Sequence, residues 1–455
     1  MSNNGLETLR GALLGRVLLP ADDGYDAARR IWNVMIDKRP AAIARCTGVA
    51  DVVAALRFAR ENDLAVAVHG GGHNVAGSAL CEGGLLIDLS AMRAVHVDSV
   101  GLSARAQGGA TWGDYDRETQ VFGLASTGGA ISTTGIGGLT LGGGFGWLSR
   151  SYGLACDELI SAQVVTADGR VVTASADENP DLFWGLRGGG GNFGIVTSFE
   201  YRLHEVGELL AGLLLFPRAE TKQVFEAWAD VTASAPDELG SMAALLDTPD
   251  GDPVAGIYSV FNGPHEEGEK VLAPLRRCGT VLLDEIGAKP YCVVQQAFDA
   301  AQPPGRRNYW KSHYLAEVGG GLIEALVDRA AKVPSPTFLI AIEHLFGGAV
   351  ARIGAEETAY GQRDVEHNLM ISSAWDDPGG DEANVQWARE AFAATMPFST
   401  GAVYVNYLNA QEADRIGEAY GPEHTRRLVE LKKRWDPDNA FHHNQNIAPS
   451  MAAGG

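Results

Sequence analysis

The sequence predicts an α+β protein of two large units, and three observations carry that expectation. Apolar residues make up 45% of the chain, enough for a substantial core. Helical and strand-like patterns are interleaved along its whole length, and the pattern changes character near residue 206, where a run of glycine clusters ends. At 455 residues there is room for two or three folding units. The expected division is 1–206, 207–400 and 401–455.

In the first unit, residues 47–62 set Val52, Leu56 and Ala59 at helical spacing behind a polar start. The strand-like run Leu64 to Val68 follows and enters Gly70-Gly71-Gly72-His73-Asn74. Leu85 to Leu89 and stretches within 94–109 read as strands, and 112–122 as a helix. The stretch Gly128 to Gly146 holds too much glycine for a stable element and is expected to be a loop packed on a ligand or another backbone. A third cluster, Gly188 to Gly191 with Asn192, Phe193 and Gly194, runs into the β-branched strand Ile195 to Phe199.

Beyond 206, helical segments at 219–231, 322–333 and 383–396 alternate with strands at 253–261, 337–344 and 368–375. The tail opens with a strand-like run, Ala402 to Tyr407. A helix carrying Leu428, Leu431 and Trp435 on one face follows, then a turn at Asp436-Pro437-Asp438-Asn439.

Composition excludes several classes. Lys and Arg total 36 against 57 Asp and Glu, a formal charge of −21 that repels phosphate backbones and anionic lipid. Nucleic acid is not an expected partner. The five cysteines, Cys46, Cys81, Cys156, Cys278 and Cys292, have neither the density of a disulfide scaffold nor CxxC spacing. The start lacks a secretory pattern, and no stretch of about 18 residues is apolar throughout. A soluble, cytoplasmic protein without membrane contact is expected, its oligomeric state unread.

Glycine is the outlier, 57 residues, nearly twice an average share of about 7%. Gly189-x-Gly191-x-x-Gly194 matches the dinucleotide fingerprint formally, but that motif needs a strand before it and a helix after it, and here a strand follows. A strand delivering Gly70 to Gly72 instead points successive amides into one concavity, a nest able to hold phosphate oxygens without lysine. One such run alone is better read as a flexible turn, but three within one unit, two of them adjoining strands, favour the nest.

His73 follows directly, and the string Val68-His69-Gly70-Gly71-Gly72-His73-Asn74 resembles the GGH segment of FAD-linked oxidoreductases of the vanillyl-alcohol-oxidase, or PCMH-type, family. Gly135 to Gly146 is similar to the family's second FAD loop, and Asn179 to Thr197 to its third block. Tyr404-Val405-Asn406 through Asn444-Gln445-Asn446-Ile447 resembles the terminal segment of the berberine-bridge-enzyme-like branch. Residues 207–400 match only loosely. The resemblance implies a two-part PCMH-type FAD-binding domain, a substrate domain with an antiparallel sheet covered by helices, and a C-terminal segment packing back on the FAD domain.

It also implies FAD attached covalently through His73. The implied cofactor-binding residues are Gly70, Gly71, Gly72, His73, Asn74, Gly77, Thr133, Thr134, Gly135, Gly137, Gly138, Gly142, Gly194, Ile195, Val196, Asn444 and Asn446. Bicovalent members open the second loop with a cysteine where this chain has Ile131, and Cys156 lies too far downstream to replace it. Attachment through one histidine is therefore expected, as in the bacterial 6-hydroxy-D-nicotine oxidase-like branch. His69 stands where the family usually has arginine.

A flavin supplies the redox chemistry, so the protein must orient a C–H donor and manage one proton. Glu343 ends the strand-like run Phe338 to Ile342, where a charge is costly unless it faces a polar cavity. The solvent face of an edge strand explains it equally, but the resemblance implies an active-site glutamate on a central strand and favours Glu343. Tyr404, Asn406 and Tyr407 form the second candidate group. A strand would set Tyr404 and Asn406 on one face and Tyr407 on the other, and core tyrosines are the alternative reading. Asn406 is favoured because similar proteins keep an asparagine there.

Tyr309, Trp310, Lys311 and His313 either border a pocket or sit in an exposed turn. His442 and His443 are adjacent, without ligand spacing, and no metal is expected. The expected function is an FAD-dependent oxidase acting on a small or medium alcohol, amine or natural product, with O2 as acceptor and H2O2 as product. The alternatives are a flavin-holding protein without turnover and a flavin dehydrogenase using another acceptor.

Overall fold

The structure, a computed structural model, describes residues 3–335 and 337–451. A four-stranded sheet comes first, in the order Arg16–Leu18, Ala42–Arg45, Leu85–Asp88, Val66–His69. Its last three strands are parallel, joined through the helix Val49–Glu61. Val52, Ala55, Leu56 and Ala59 of that helix are fully buried, the stripe its periodicity predicts. Asp51 in its first turn accepts hydrogen bonds from the amides of Leu14, Gly15 and Thr47.

A five-stranded antiparallel sheet follows, in the order Val95–Asp98, Ser103–Gln107, Ile195–Arg202, Leu159–Val165, Val171–Ser175. Beside it, the expected helix at 112–122 runs from Trp112 to Thr119, opened by a Thr111/Asp114 capping box, and tightens into a 3-10 turn over Gln120–Phe122. The expectation that Gly128 to Gly146 is loop throughout is corrected: Ile136–Leu141 is a short helix. Burial of Ile136, Thr140 and Leu141 overrides the poor helix propensity of Gly137 and Gly138. A Cβ on Gly137 would stand 3.3 Å from the Gly108 carbonyl oxygen and 3.5 Å from the Phe199 ring, so glycine lets this helix press onto the sheet.

Residues 209–375 supply an eight-stranded antiparallel sheet. Its order is Leu283–Asp284, Leu209–Pro217, Pro253–Phe261, Leu239–Asp247, Phe338–His344, His367–Trp375, Arg307–Leu315, with Gly287–Lys289 pairing beside Leu209–Pro217. The strand period of two separates its faces. Leu245, Ile257, Ile340, Ile342 and Leu369 pack on the helices Thr221–Ala233, Gly320–Ala330 and Asp381–Thr395. Met242, Tyr258, Ala341 and Tyr314 face the N-terminal half, against Phe145, Trp147 and Leu148.

The second correction concerns Ala402 to Tyr407, which is not a strand. The chain meets the edge strand's backbone through Tyr314 N to the Ala402 oxygen and the Leu315–Ser399 bridge, and Trp310 Nε1 donates to the Tyr407 carbonyl, without forming a ladder. It then leaves the sheet, with Tyr404 extended and Val405–Tyr407 in a 3-10 turn. β-Branched composition marks a strand only where a ladder is available to it.

The helix Ile416–Trp435, kinked at Gly421 and Pro422, shares one core with the five-stranded sheet. Its last turn carries a fully buried ion pair, Lys432 Nζ to Asp436 Oδ2 at 2.6 Å. The same ammonium donates to the carbonyls of Asn192 and Phe441, tying the tail to the third glycine cluster. Removing one partner of a buried pair leaves the other uncompensated. Lys432→Ala is expected to lower unfolding free energy by about 3–5 kcal/mol in urea denaturation, whereas the exposed Lys433→Ala changes it by less than about 1 kcal/mol.

Candidate active site

A cavity of about 340 Å³ opens between the glycine clusters and the inner face of the eight-stranded sheet. The strand Val66–His69 ends at its wall and the chain turns through Gly70 to Asn74. Gly72 holds φ +64, and a Cβ there would reach within 2.5 Å of His69 Nε2. A Cβ on Gly71 would lie 2.4 Å from the Gly135 nitrogen, and one on Gly135 would lie 2.5 Å from the Gly71 nitrogen. The first and second glycine loops thus meet backbone to backbone and share one wall.

Three features fit a dinucleotide held by main chain. Among the described residues, no amide from Gly70 through Asn74 donates to a protein acceptor, so the nest keeps its donors for a ligand. Two buried polar atoms of cavity-lining residues lack a protein partner: His73 Nε2 and Asn444 Oδ1. Gly194, at φ +159, starts the strand Ile195–Arg202 where a Cβ would strike Val164.

Of the residues expected to bind the cofactor, Gly70, Gly71, Gly72, His73, Asn74, Thr134, Gly135, Gly137, Gly138, Gly194, Ile195, Val196 and Asn444 line the cavity. Gly77, Thr133, Gly142 and Asn446 do not. Gly77 packs on Ile36 and Thr133 is exposed. Gly142 acts from behind the wall: a Cβ there would overlap the Asn406 amide, so glycine admits that side chain.

His73 stacks on Trp32, ring centroids 4.7 Å apart, and Trp32 packs in turn on Trp310. Burial pushes the His73 imidazole down to about 4, so it is neutral and its nitrogen lone pair is free near neutral pH. Ile131 also lines the cavity, whereas Cys156 lies in the core with burial pushing its thiol well up. The altered residue His69 sets Nδ1 3.4 Å from Asp88 Oδ1.

All four expected catalytic residues line the cavity: Glu343, with Tyr407 bonded to it, on the sheet side, and Tyr404 and Asn406 hydrogen-bonded to the second glycine loop. Glu343 Oε2 accepts from Asn368 Nδ2 at 2.7 Å, and Oε1 accepts from the Tyr407 hydroxyl at 3.2 Å. Burial nevertheless raises this carboxyl to about 7, with the two hydrogen bonds opposing. The Tyr404 hydroxyl accepts from the Gly144 amide and from Asn406 Nδ2, which also donates to the Leu139 carbonyl. The strand expectation that turned Tyr407 away from Tyr404 is overturned by the 3-10 turn, which sets the two rings 5.2 Å apart.

Between these poles the wall is apolar: Trp147, Met242, Phe298, Leu339, Leu345 and Met370. Sequence reasoning missed these, and it missed Asn368, the cross-strand partner of Glu343. Of the aromatic patch, Trp310 lines the cavity; Lys311 pairs with Glu412, and His313 hydrogen-bonds Thr395.

Residues 40–175 match the family profile described as an FAD binding domain, and 403–448 the one described as berberine and berberine like. The chain is 33% identical to (R)-6-hydroxynicotine oxidase of Paenarthrobacter nicotinovorans, over 96% of this chain and 97% of that protein. It is 32% identical to an FAD-linked oxidoreductase of Dictyostelium discoideum, over 92% and 91%. The crystal structure of 6-hydroxy-D-nicotine oxidase from Arthrobacter nicotinovorans superposes with a TM-score of 0.89 at 32% identity, covering 96% of this chain and 98% of that one.

Because nothing larger than hydrogen fits between Gly71 and Gly135, Gly71→Ala forces the loops apart at an overpacking cost of about 1–3 kcal/mol. The expected result is a fold that survives, with flavin incorporation lowered at least roughly threefold, read from the visible-to-280 nm absorbance ratio of the purified protein.

Proposed function

We propose, from the premise that the chain belongs to the berberine-bridge-like FAD-linked oxidoreductases, that it is an oxidase with FAD attached through His73 alone. Its substrate is a flat, largely apolar alcohol or amine, and O2 is the acceptor, giving H2O2. The observation that carries this reading is Glu343, a buried carboxyl at about 7 on the wall facing the glycine cradle. A group balanced between its two protonation states at working pH is what proton removal from a substrate needs.

FAD, when bound, supplies the redox chemistry by taking the hydride that leaves the substrate carbon. The chain's own part is to take the proton and fix the donor. Asn368 and Tyr407 hold one Glu343 oxygen each, which orients the carboxylate toward the O–H or N–H it deprotonates. Tyr404, whose oxygen already accepts two hydrogen bonds, has its own proton left to donate to the substrate heteroatom. The apolar wall from Trp147 to Met370 offers little to a polyhydroxylated sugar and suits a ring system bearing one polar group.

Single attachment is supported by the neutral, Trp32-stacked imidazole of His73 and by Ile131 in place of a second nucleophile. Acid precipitation is expected to leave the flavin on the pellet, and digestion to place it on the peptide containing His73. His73→Ala is expected to release all flavin into the supernatant.

Below about 7 Glu343 is protonated and cannot accept a proton, so kcat/KM is expected to rise with pH through that value. Glu343→Gln abolishes this limb and lowers kcat by about 10²–10⁴. Asn368→Leu, which removes a bond favouring the charged form, moves the limb to higher pH. Stopped-flow reduction under anaerobic conditions across a pH series reads all three.

A further inference from the structure

Directly behind Glu343 and Asn368 lies a second polar cluster that the oxidase chemistry does not use. Glu343 pairs across strands with Asn368, and their chain neighbours His344 and His367 form the next rung, on the face turned to the helix layer. His344 Nδ1 and His367 Nε2 share a hydrogen bond of 3.2 Å, whose proton an ion would replace, with the rings tilted at 35°. His344 is fully buried, and its Nε2 has no hydrogen-bond partner among the described residues. Glu366, next along the chain and exposed, brings a carboxylate so that one ligand atom from each of the three lies within 4.8 Å of the others.

The spacing matches metal ligation. Two imidazole nitrogens on one tetrahedral ion, each at about 2.0–2.1 Å, stand roughly 3.3 Å from one another, so the pair is already at bite distance. The exposed Glu366 side chain has the freedom to complete a third ligand, and its side of the cluster opens to solvent for a water. Two imidazoles and one carboxylate make a borderline donor set suited to Zn²⁺ and its late first-row neighbours. Arg150 is the opposing charge. Its guanidinium donates to the carbonyls of Phe346 and Ala235. The acidic Glu366 and Asp237 offset its repulsion of a cation.

We propose that His344, His367 and Glu366 bind one divalent ion of the Zn²⁺ class, clamping the end of the strand Phe338–His344 to the start of His367–Trp375. The adjacency of His442 and His443, which led the sequence reading to no metal, does not bear on a site assembled from residues 23 apart on two strands.

The test uses the full chain carrying its flavin, stripped by chelator, dialysed, and titrated with Zn²⁺ in competition with a chromogenic chelator. One equivalent is expected to bind, at least about tenfold more weakly in His367→Gln and in Glu366→Gln. The thermal midpoint rises with Zn²⁺ in the unaltered chain and not in His367→Gln, and urea denaturation without metal confirms that both variants fold. Absence of Zn²⁺ retention against the chelator, or binding that survives either substitution unchanged, overturns the proposal.

Discussion

Gly71 and Gly135 meet main chain to main chain, and everything that makes the cavity a site depends on that approach. With a Cβ on either residue the loops must part, and the amides of Gly70 to Asn74 would no longer share a wall with the helix Ile136–Leu141. The same contact explains where the glycine excess sits. Gly142 lets Asn406 enter, and Gly137 lets the short helix lie on Phe199. Each replaces a side chain with closeness, at an entropic cost of roughly 0.5–1 kcal/mol per residue that burial of the surrounding core must offset.

The opposite wall depends on the period of two in a strand. One sheet presents Met242 and Glu343 to the cavity, with Asn368 buried beside Glu343 as its cross-strand partner, while Ile342 and Leu369 build the helix-covered core. A carboxylate could not be kept there by burial alone. Two neutral donors, Asn368 and Tyr407, meet its oxygens without neutralising it, so it stays near its midpoint. A lysine or arginine in their place would pull it down to the ordinary carboxylate range and leave a weaker base.

Much of this was legible in the residues. The helices near 47–62 and 219–231 were legible from apolar spacing, and the strands 253–261, 337–344 and 368–375 as short apolar runs buried on both faces. Two segments were misread for the same physical reason. Ile136–Leu141 is helical despite its glycines, and Ala402 to Tyr407 is not a strand despite its β-branched residues, because tertiary partners decide both. Glu343 stood out as a charge at the end of an apolar run. Asn368 did not, since its role comes from a cross-strand pairing 25 residues distant along the chain. The same limit hid Trp32, and it hid the neighbouring rung of His344 and His367.

Trp32 belongs to the segment that joins the two walls. Its ring lies on His73 and on Trp310, and its indole nitrogen donates to the Gln302 carbonyl. The next residue, Asn33, donates to the carbonyls of Val75 and Asn308 and accepts from the Asn308 amide. One short stretch therefore fixes the imidazole, the chain just beyond the first glycine loop, and the edge strand Arg307–Leu315. The distance from the cradle to Glu343 is then set by packed aromatic rings and buried amide bonds, the rigidity that the proposed oxidation would need, because small misplacements of a donor are costly in rate.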